Sequence, residues 1–293
     1  MVVIDGGGTG SRLRAIDADG GILAETSCGP SNLTYGVDEA WRNLRQGLAK
    51  LSDEVGLPVA GTRLWCGFAG GRSPTRQAAF RAANPVAAAE ITIVTDGFAS
   101  LIGAHQGGPG IVLAVGTGVA AFALTLDGHV VSSSAWGYKI GDEGSGGWIG
   151  NRAVSLLARH LDGRLREESA LFSQLQQVVG EDFDAIQLWL SDADATAFAA
   201  LAPLVLQAAE AGDTIANRLL TQATHELVVA VQAVDAGQPI ALLGGLAQVM
   251  EPRLRQDFPN RIIPAKGNAL DGLQIIAARG WRDETRVTFE IAS

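Results

Sequence analysis

Two clusters of glycine and hydroxyl residues are the first candidates for chemistry in this chain. The first follows the β-branched run Val2–Asp5 and contains Gly7, Gly8, Thr9, Gly10 and Ser11. Glycines let a backbone approach an anion closely, so that consecutive N–H groups form a nest for phosphate oxygens. We therefore predict that these five residues bind phosphate groups and that Asp5 holds Mg²⁺, directly or through water. A glycine-rich hairpin without a ligand is the alternative interpretation.

The second cluster is Gly116-Thr117-Gly118, which follows the apolar run Ile111–Val115. By itself it is also compatible with a bulged hairpin. Paired with the first cluster, it predicts two phosphate-binding hairpins that face one another across a cleft. Gly244-Gly245 follows another apolar run and precedes a helical pattern. Small residues at that position would let an adenine ring lie against the backbone, and tight strand–helix packing is the alternative.

The elements that carry these clusters follow one pattern twice. A strand, a Gly/Thr turn, a strand, an Asp-Gly pair and a strand occur in that order from Val2 and again from Ile111. Asp-Gly between short apolar runs indicates tight hairpins, so each half opens with an antiparallel meander. A dinucleotide-binding fold would need a helix after the first glycine turn, and a P-loop would need Gly-Lys-Ser/Thr. Neither pattern is present.

The rest of the chain predicts two similar α/β domains. Apolar residues at helical spacing, with short apolar runs between them, complete each half. We assign residues 1–107 with 270–293 to the N-terminal domain and residues 108–269 to the C-terminal domain. The predicted helices cover residues 37–51, 74–83, 98–104, 197–211 and 269–278, and further helical patterns lie between residues 148 and 234.

Composition excludes several classes of function. The 293 residues include 22 Lys and Arg against 31 Asp and Glu, a net charge of −9, so nucleic acid is not expected as a partner. The apolar runs are far shorter than a membrane span, and the N-terminus has no signal-peptide pattern. We therefore expect a cytoplasmic protein. Its four histidines lack the spacing of a metal site, and its two cysteines exclude a zinc motif or a four-thiolate cluster within one chain.

One further motif is specific to a family. The glycine clusters together resemble the sugar kinase/Hsp70/actin superfamily, in which two ribonuclease H-like, actin-like ATPase domains enclose ATP in the cleft between them. The segment Trp136–Gly146 contains Gly-Asp-Glu-Gly-Ser and resembles the signature of the BadF/BadG/BcrA/BcrD ATPase family. Within that family the chain is similar to the N-acetylglucosamine and glucosamine kinases. The resemblance implies an ATP-dependent kinase that phosphorylates the 6-hydroxyl of an amino sugar, and it suggests a homodimer.

The resemblance also implies roles for individual residues. Asp96, which follows a strand pattern, occupies the place of the catalytic base that accepts the proton of the sugar hydroxyl. Ala199, in Phe198-Ala199, matches a helical segment near adenine, which core packing explains almost as well. Besides Asp96, the matching sugar contacts are Asn32, Trp136, Gly137, Asp142 and Glu143. Ala135 stands where some relatives have glycine, which leaves open how the 2-substituent of the sugar is accommodated.

Alternatives remain for these residues and for the function. Asp96 could instead cap the helix that begins near Phe98, and Asp142 with Glu143 could cap the helix near Trp148. The family also contains ATPases that activate 2-hydroxyacyl-CoA dehydratases through a cluster of iron and sulfur between two subunits. That function needs cysteines at a surface, whereas Cys66 ends a predicted buried strand and Cys28 lies in the loop before Asn32.

Overall fold

The computed structural model describes residues 1–56 and 58–282, which form two compact units. The first unit contains residues 1–112, 122–131 and the described residues from 264 onwards, and the second contains residues 113–121 and 132–263. The domain assignment made from the sequence stays a prediction. Its residues 283–293 lie outside the described part of the chain.

The described residues contain two five-stranded sheets with the same strand order. The first has the order β3-β2-β1-β4-β5 and the second, read in the same direction, has the order β8-β7-β6-β9-β10. This repeated order confirms the predicted α/β class and the repeated pattern of the sequence. The strands are β1 (Val2–Gly6), β2 (Ser11–Ile16), β3 (Ile22–Cys28), β4 (Arg63–Phe68), β5 (Glu90–Thr95), β6 (Gly110–Val115), β7 (Val119–Leu124), β8 (Val130–Ser134), β9 (Ile240–Leu243) and β10 (Ile262–Ile263).

Strand direction in the first sheet agrees with the predicted meander. β1 pairs antiparallel with β2, and β2 pairs antiparallel with β3. On its other side β1 pairs parallel with β4, which pairs parallel with β5. β1 is therefore central, and its apolar residues Val3 and Ile4 are fully buried. A central strand that is covered on both faces has its C-terminal end free to present a turn, which is where the first glycine cluster lies.

The helices lie close to the predicted ranges, with one exception. They are α1 (Val37–Val55), α2 (Pro74–Ala83), α3 (Asp96–Ala104), α4 (Gly146–Leu161), α5 (Ala170–Val179), α6 (Phe183–Asp192), α7 (Ala195–Ala199), α8 (Ala202–Glu210), α9 (Thr214–Gln232), α10 (Gly245–Asp257) and α11 (Ala269–Arg279). The prediction of one helix over residues 197–211 is wrong, because the chain breaks between α7 and α8. Pro203 lies in the first turn of α8. Its ring has no N–H and would clash with the carbonyl of Ala199 in a continuous helix.

Each unit has its own apolar core. In the first unit, α1 packs its buried Trp41, Leu44 and Leu48 on the sheet, and Trp41 stacks on Phe80 with ring centroids 4.2 Å apart. In the second unit, α9 contributes ten buried residues, most of them apolar. Both helices show the wide apolar stripe expected of a helix that covers a core.

Within the described residues no single helix is long and apolar enough to cross a membrane. One pair of segments in this described part, Ala195–Glu210 and Thr214–Gln232, reaches the required length and composition together, and the two segments are bent by 118°.

Candidate active site

The first glycine cluster forms an exposed turn between β1 and β2. The N–H of Gly7 donates to the carbonyl of Gly10 at 3.0 Å, and Gly8 and Thr9 at the tip are exposed. The turn therefore presents the backbone and the Thr9 hydroxyl to solvent. Ser11 differs from the other predicted phosphate ligands, because it is buried and its Oγ lies 2.6 Å from the Oγ of Ser31.

Two carboxyl groups and one guanidinium group lie at the edge of the sheet that carries this turn. Asp5 lies at the end of β1 directly opposite Arg12 of β2, and Arg12 Nη2 donates to Asp5 Oδ2 at 2.6 Å. Asp96 directly follows β5, whose last residue Thr95 is in register with Phe68 of β4 and, through it, with Gly6 of β1, so Asp96 lies at the same edge of the sheet. The charge of Asp5 accordingly raises the pKa of Asp96. The structure thus brings together the predicted metal ligand, the predicted phosphate turn and the predicted base within the first unit.

Asp96 is not the cap of the helix it begins. The helix α3 starts at Asp96, and Thr95 caps it through its Oγ1, which accepts from the N–H of Phe98 at 3.1 Å. Asp96 Oδ1 accepts from the neighbouring N–H of Gly97, at 2.9 Å. Burial raises the pKa of the Asp96 carboxyl most strongly, this N–H lowers it, and the charge of Asp5 raises it further. The capping alternative for Asp96 is therefore wrong.

The packing of α3 requires a glycine directly after Asp96. A Cβ at Gly97 would overlap the ring of Phe122, which belongs to the same unit. Since the first turn of α3 rests directly on this ring, the backbone at Asp96 is held in place by the core.

Asn32, the other candidate of the first unit, lies beside the tip of the glycine turn. Its Oδ1 accepts from the N–H and the Oγ1 of Thr34, at 2.8 and 2.7 Å. This Asx turn orients the amide so that Nδ2 lies 3.7 Å from the position of a Cβ on Gly8. The acceptor of Asn32 is occupied by the chain, whereas its donor faces the glycine turn.

The second glycine cluster is a turn supported by the start of α4. The N–H of Gly116 donates to the carbonyl of Gly118 at 3.0 Å. The N–H groups of Gly146 and Gly147 donate to the carbonyls of Gly116 and Thr117 at 2.8 and 3.2 Å. The first N–H groups of a helix have no partner within it, so this contact satisfies them and holds the turn at the same time.

Three more predicted nucleotide ligands lie around or beside this turn. Gly244 has a φ of +86°, and a Cβ on it would overlap the carbonyl of Val115, the last residue of β6. Gly245 has open space around its Cα. Ala199 lies beside the start of α4, because a Cβ on Gly146 would be 3.3 Å from the Cβ of Ala199 and 3.1 Å from the carbonyl oxygen of Gly116. Gly244 and Ala199 therefore both border the end of β6 and the turn that follows it.

Asp142 faces the second turn and is 8% exposed. Its Oδ1 accepts from the N–H of Val119 at 3.3 Å. Burial raises the pKa of its carboxyl most strongly, the N–H of Val119 lowers it, and the charge of Glu143 raises it. The residue has a φ of +62°, a conformation that L-residues seldom adopt. Its carboxylate closes the turn in this structure, and its contact with a sugar stays a prediction.

The capping alternative for Asp142 and Glu143 is wrong for the same reason as that for Asp96. Ser145 caps α4 through its side chain, which accepts from the N–H of Trp148 at 3.1 Å.

The loop before Asp142 holds the remaining predicted sugar ligands. Trp136 is 76% exposed, and a Cβ on Gly141 would lie 2.9 Å from its Cβ and 3.7 Å from Glu143 Oε2. Trp136 and Glu143 therefore flank Gly141. Ala135 and Gly137 have φ values of +61° and +86°. The positive φ of Ala135 gives a physical reason why glycine suits that position.

Five residues contribute to these sites without having been predicted from the sequence: Arg12, Gly146, Gly147 and the capping residues Thr95 and Ser145. The signal for Arg12 was available. In a hairpin, residues equally distant from the turn face each other, and Asp5 and Arg12 flank the turn symmetrically.

The cysteines do not suit a cluster at a surface. Cys66 lies in β4 between Ile4 and Ile93 of the neighbouring strands and is fully buried, and burial raises the pKa of its thiol. Cys28 is half-buried, and burial raises the pKa of its thiol as well. Among the described residues, no group of three or more His, Cys, Asp and Glu side chains could hold a metal ion.

Curated relatives cover nearly the whole chain. The glucosamine kinase of Vibrio cholerae is 26% identical over 284 residues, which cover 95% of this chain and 95% of the relative. The N-acetylmuramic acid/N-acetylglucosamine kinase of Clostridium acetobutylicum is 27% identical over 302 residues, which cover 94% of this chain and 97% of the relative.

Solved structures agree with these relatives. A candidate N-acetylglucosamine kinase of Chromobacterium violaceum is 36% identical with a TM-score of 0.86, over 94% of this chain and 98% of that chain. A second one, of Porphyromonas gingivalis, is 17% identical with a TM-score of 0.72 over 96% of this chain and 99% of that chain, and shows the fold alone. The family model of the BadF/BadG/BcrA/BcrD ATPases matches residues 2–263. This chain therefore belongs to the BadF/BadG/BcrA/BcrD ATPase family.

Proposed function

We propose that the protein is an ATP-dependent amino-sugar kinase that phosphorylates the 6-hydroxyl of glucosamine or N-acetylglucosamine. The placement of Asp96 carries this proposal. Its carboxyl group is partly buried, is not used to cap α3 and lies near the carboxylate of Asp5 and the first glycine turn. A carboxylate that does not cap a helix and that lies beside a candidate phosphate site suits a general base in phosphoryl transfer.

In the proposed reaction Asp96 accepts the proton of the sugar hydroxyl as its oxygen attacks the γ-phosphorus of ATP. The bond between the sugar oxygen and phosphorus forms, the bond between phosphorus and the bridging β,γ-oxygen breaks, and ADP leaves with the electron pair. Because burial and Asp5 raise the pKa of Asp96, its carboxylate is a stronger base than an exposed aspartate. It still ionises when the pH exceeds this raised pKa.

The residues near the first turn fit a magnesium ion that arrives with the nucleotide. Mg²⁺ is usually bound by one or two carboxylates together with substrate phosphates and waters. Asp5 offers such a carboxylate beside the turn. The two Arg12 nitrogens that donate to it, Nε and Nη2, both bind the same oxygen, Oδ2. Asp5 would hold the ion, which would supply positive charge for the phosphates.

In the second unit, we assign nucleotide binding to the turn Gly116–Gly118 and to its neighbours Ala199, Gly244 and Gly245. The support is that the turn is exposed while its backbone is fixed by α4. The proposed sugar contacts are Asn32 and Asp96 in the first unit and Trp136, Gly137, Asp142 and Glu143 in the second. Vicinal hydroxyls suit carboxylate acceptors, since charged acceptors form the stronger hydrogen bonds.

Activation of a dehydratase is the less supported alternative, because Cys66 is fully buried and Cys28 half-buried. Iron analysis of the purified protein separates the two functions. A cytoplasmic location and a homodimer also belong to the proposal and rest on the family resemblance. Sedimentation velocity of the purified protein tests the dimer.

The test is an ADP-release assay over a panel of amino sugars and neutral hexoses. We expect an amino sugar to be the best substrate. Asp96→Asn should lower kcat by about 10²–10⁴-fold, the usual contribution of a general base, while sugar and ATP still bind. The matched control is Asp53→Asn, an exposed aspartate of α1, which should leave kcat unchanged.

The pH dependence gives a second readout. Asp96 must be deprotonated to accept a proton, so kcat/KM should fall as the pH falls through its raised pKa. This acidic limb should be absent in the residual activity of Asp96→Asn. An Asp96→Asn variant with normal turnover, or no sugar-dependent ADP release by the unaltered protein, would refute the proposal.

A further inference from the structure

The guanidinium group of Arg12 and the carboxylate of Asp5 form an ion pair at the edge of the first turn. Arg12 Nε and Nη2 both donate to Asp5 Oδ2, at 3.2 and 2.6 Å. The side chain of Arg12 is 50% exposed and that of Asp5 18%. Solvent screens a pair of this kind, so it contributes little to stability and exchanges partners at low cost.

A second arginine on the same strand forms ion pairs that connect elements of this unit, and it serves as a comparison for Arg12. Arg14 is two residues further along β2, and its side chain is only 5% exposed. It donates to Glu25 at 2.6 Å, to Asp271 at 2.8 Å and to Gln274 at 3.2 Å. Arg14 therefore joins β2 to β3 and α11, whereas within the described part of the chain the hydrogen bonds of the Arg12 side chain all go to Asp5, across the hairpin.

The partner of Arg12 is the residue that the proposed function assigns to the metal. A cation bound by Asp5 competes with the guanidinium group for the same carboxylate, because both are attracted by one negative charge. When the cation wins, Arg12 becomes available beside the glycine turn. A free guanidinium group is the best side-chain donor for phosphate, since its N–H groups match two phosphate oxygens.

We propose that Arg12 exchanges its partner during nucleotide binding: it pairs with Asp5 in the free protein and with a phosphate group of ATP in the complex. Arg12 thereby keeps the Asp5 carboxylate neutralised until a cation and a nucleotide arrive together. This inference rests on the proposed function, because it needs ATP and a divalent cation at the first turn.

Partner exchange predicts effects of opposite sign when Arg12 is removed. Without the competing guanidinium group, Asp5 should bind a divalent cation more tightly. Without the donor, the phosphates of ATP should bind more weakly. A residue that merely stabilised the hairpin would weaken both kinds of binding, since both sites lie on that hairpin.

The experiment compares the unaltered full-length protein with Arg12→Gln. Binding of Mn²⁺ alone is followed by electron paramagnetic resonance, and binding of ATP and of adenosine in saturating Mg²⁺ by calorimetry. We expect the Kd for Mn²⁺ to fall by about 5-fold, as expected from removing one unit of positive charge near 4 Å in water. The Kd for ATP should rise by about 10-fold or more, the loss expected for a charge-assisted hydrogen bond, and that for adenosine should not change.

Two further variants complete the design. Arg12→Lys keeps the charge without the planar fork and should give intermediate values for both ligands. Arg45→Gln, an exposed arginine of α1, should change neither. Unchanged ATP binding in Arg12→Gln, or a parallel loss for Mn²⁺, ATP and adenosine, would overturn the inference while the kinase proposal stands. Failure of the unaltered protein to bind ATP would overturn both.

Discussion

The two glycine turns occupy the same place in two sheets of the same strand order, yet they have different neighbours. The first turn, at the end of β1, is flanked by the charged side chains of Asp5 and Arg12, and Asp96 lies at the same edge of the sheet. The second, at the end of β6, is held by N–H groups of α4 and by the carboxylate of Asp142, which accepts from the N–H of Val119 and has no arginine partner among the described residues. The strand order thus decides where a turn is presented, whereas the side chains beside it decide what chemistry it can support.

The difference extends to the glycines near each turn. At the tips, a Cβ on Gly8 would come no closer than 3.4 Å to the Tyr35 hydroxyl, and a Cβ on Gly116 would meet open space. Beside the first turn, a Cβ on Gly6 would overlap a side chain, the ring of Phe68, whereas beside the second, Gly244 has both a positive φ and a backbone carbonyl against its Cα. The end of β6 therefore depends on close backbone packing at Gly244, and a substitution there should damage the fold before it damages chemistry.

The largest expected effect is that of Gly244→Ala. The variant forces a left-handed alanine against the carbonyl of Val115, and we expect it to lower the free energy of unfolding by about 3 kcal/mol or more. Gly245→Ala is the matched control, since its Cβ meets open space, and Gly8→Ala tests the first turn. Both should change stability by less than about 1 kcal/mol. Urea denaturation measures all three, and equal losses for Gly244→Ala and Gly245→Ala would refute this account.

A smaller effect separates the two arginines of β2. Arg14→Met removes a buried guanidinium group and leaves Asp271 and Glu25 without their partner, so we expect a loss of about 2–3 kcal/mol, below the range for fully buried pairs because both acids are partly exposed. Arg12→Met should cost less than about 1 kcal/mol. Thermal and urea denaturation measure both. If the two variants lost equal stability, Arg12 would be as structural as Arg14.

The repeat was predictable because its signals are local. β-branched runs, Asp-Gly pairs and glycine clusters each specify a strand or a turn within a few residues, so Val2–Gly6 and Gly110–Val115 were found within one residue at each end. The break between α7 and α8 also had a local signal, Pro203, which the continuous apolar pattern obscured.

The surroundings of the site were not predictable in the same way. The caps Thr95 and Ser145 are local, since each hydroxyl accepts from the N–H three residues later, and Ser and Thr are common at that position. That Asp142 faces the second turn depends instead on its contact with Val119, 23 residues earlier in the chain. The repulsive contact that requires glycine at position 244 comes from Val115, more than a hundred residues earlier. A single sequence shows that glycine is present but does not show which neighbour requires it.

The smallest expected effect concerns the outer support of the second turn. Tyr138 lies over Gly147, stacks on Phe198 with ring centroids 5.6 Å apart and accepts a hydrogen bond from Asn151 Nδ2 at 2.8 Å. Tyr138→Phe removes only the exposed hydrogen bond and should cost less than about 1 kcal/mol, whereas Tyr138→Ala also removes the aromatic pair and should cost more. Thermal denaturation and ATP titration of both variants separate the contribution of the Tyr138 ring from that of its hydroxyl group. A loss in Tyr138→Phe as large as that in Tyr138→Ala would mean that a side-chain hydrogen bond, and not packing around the backbone, supports the second turn.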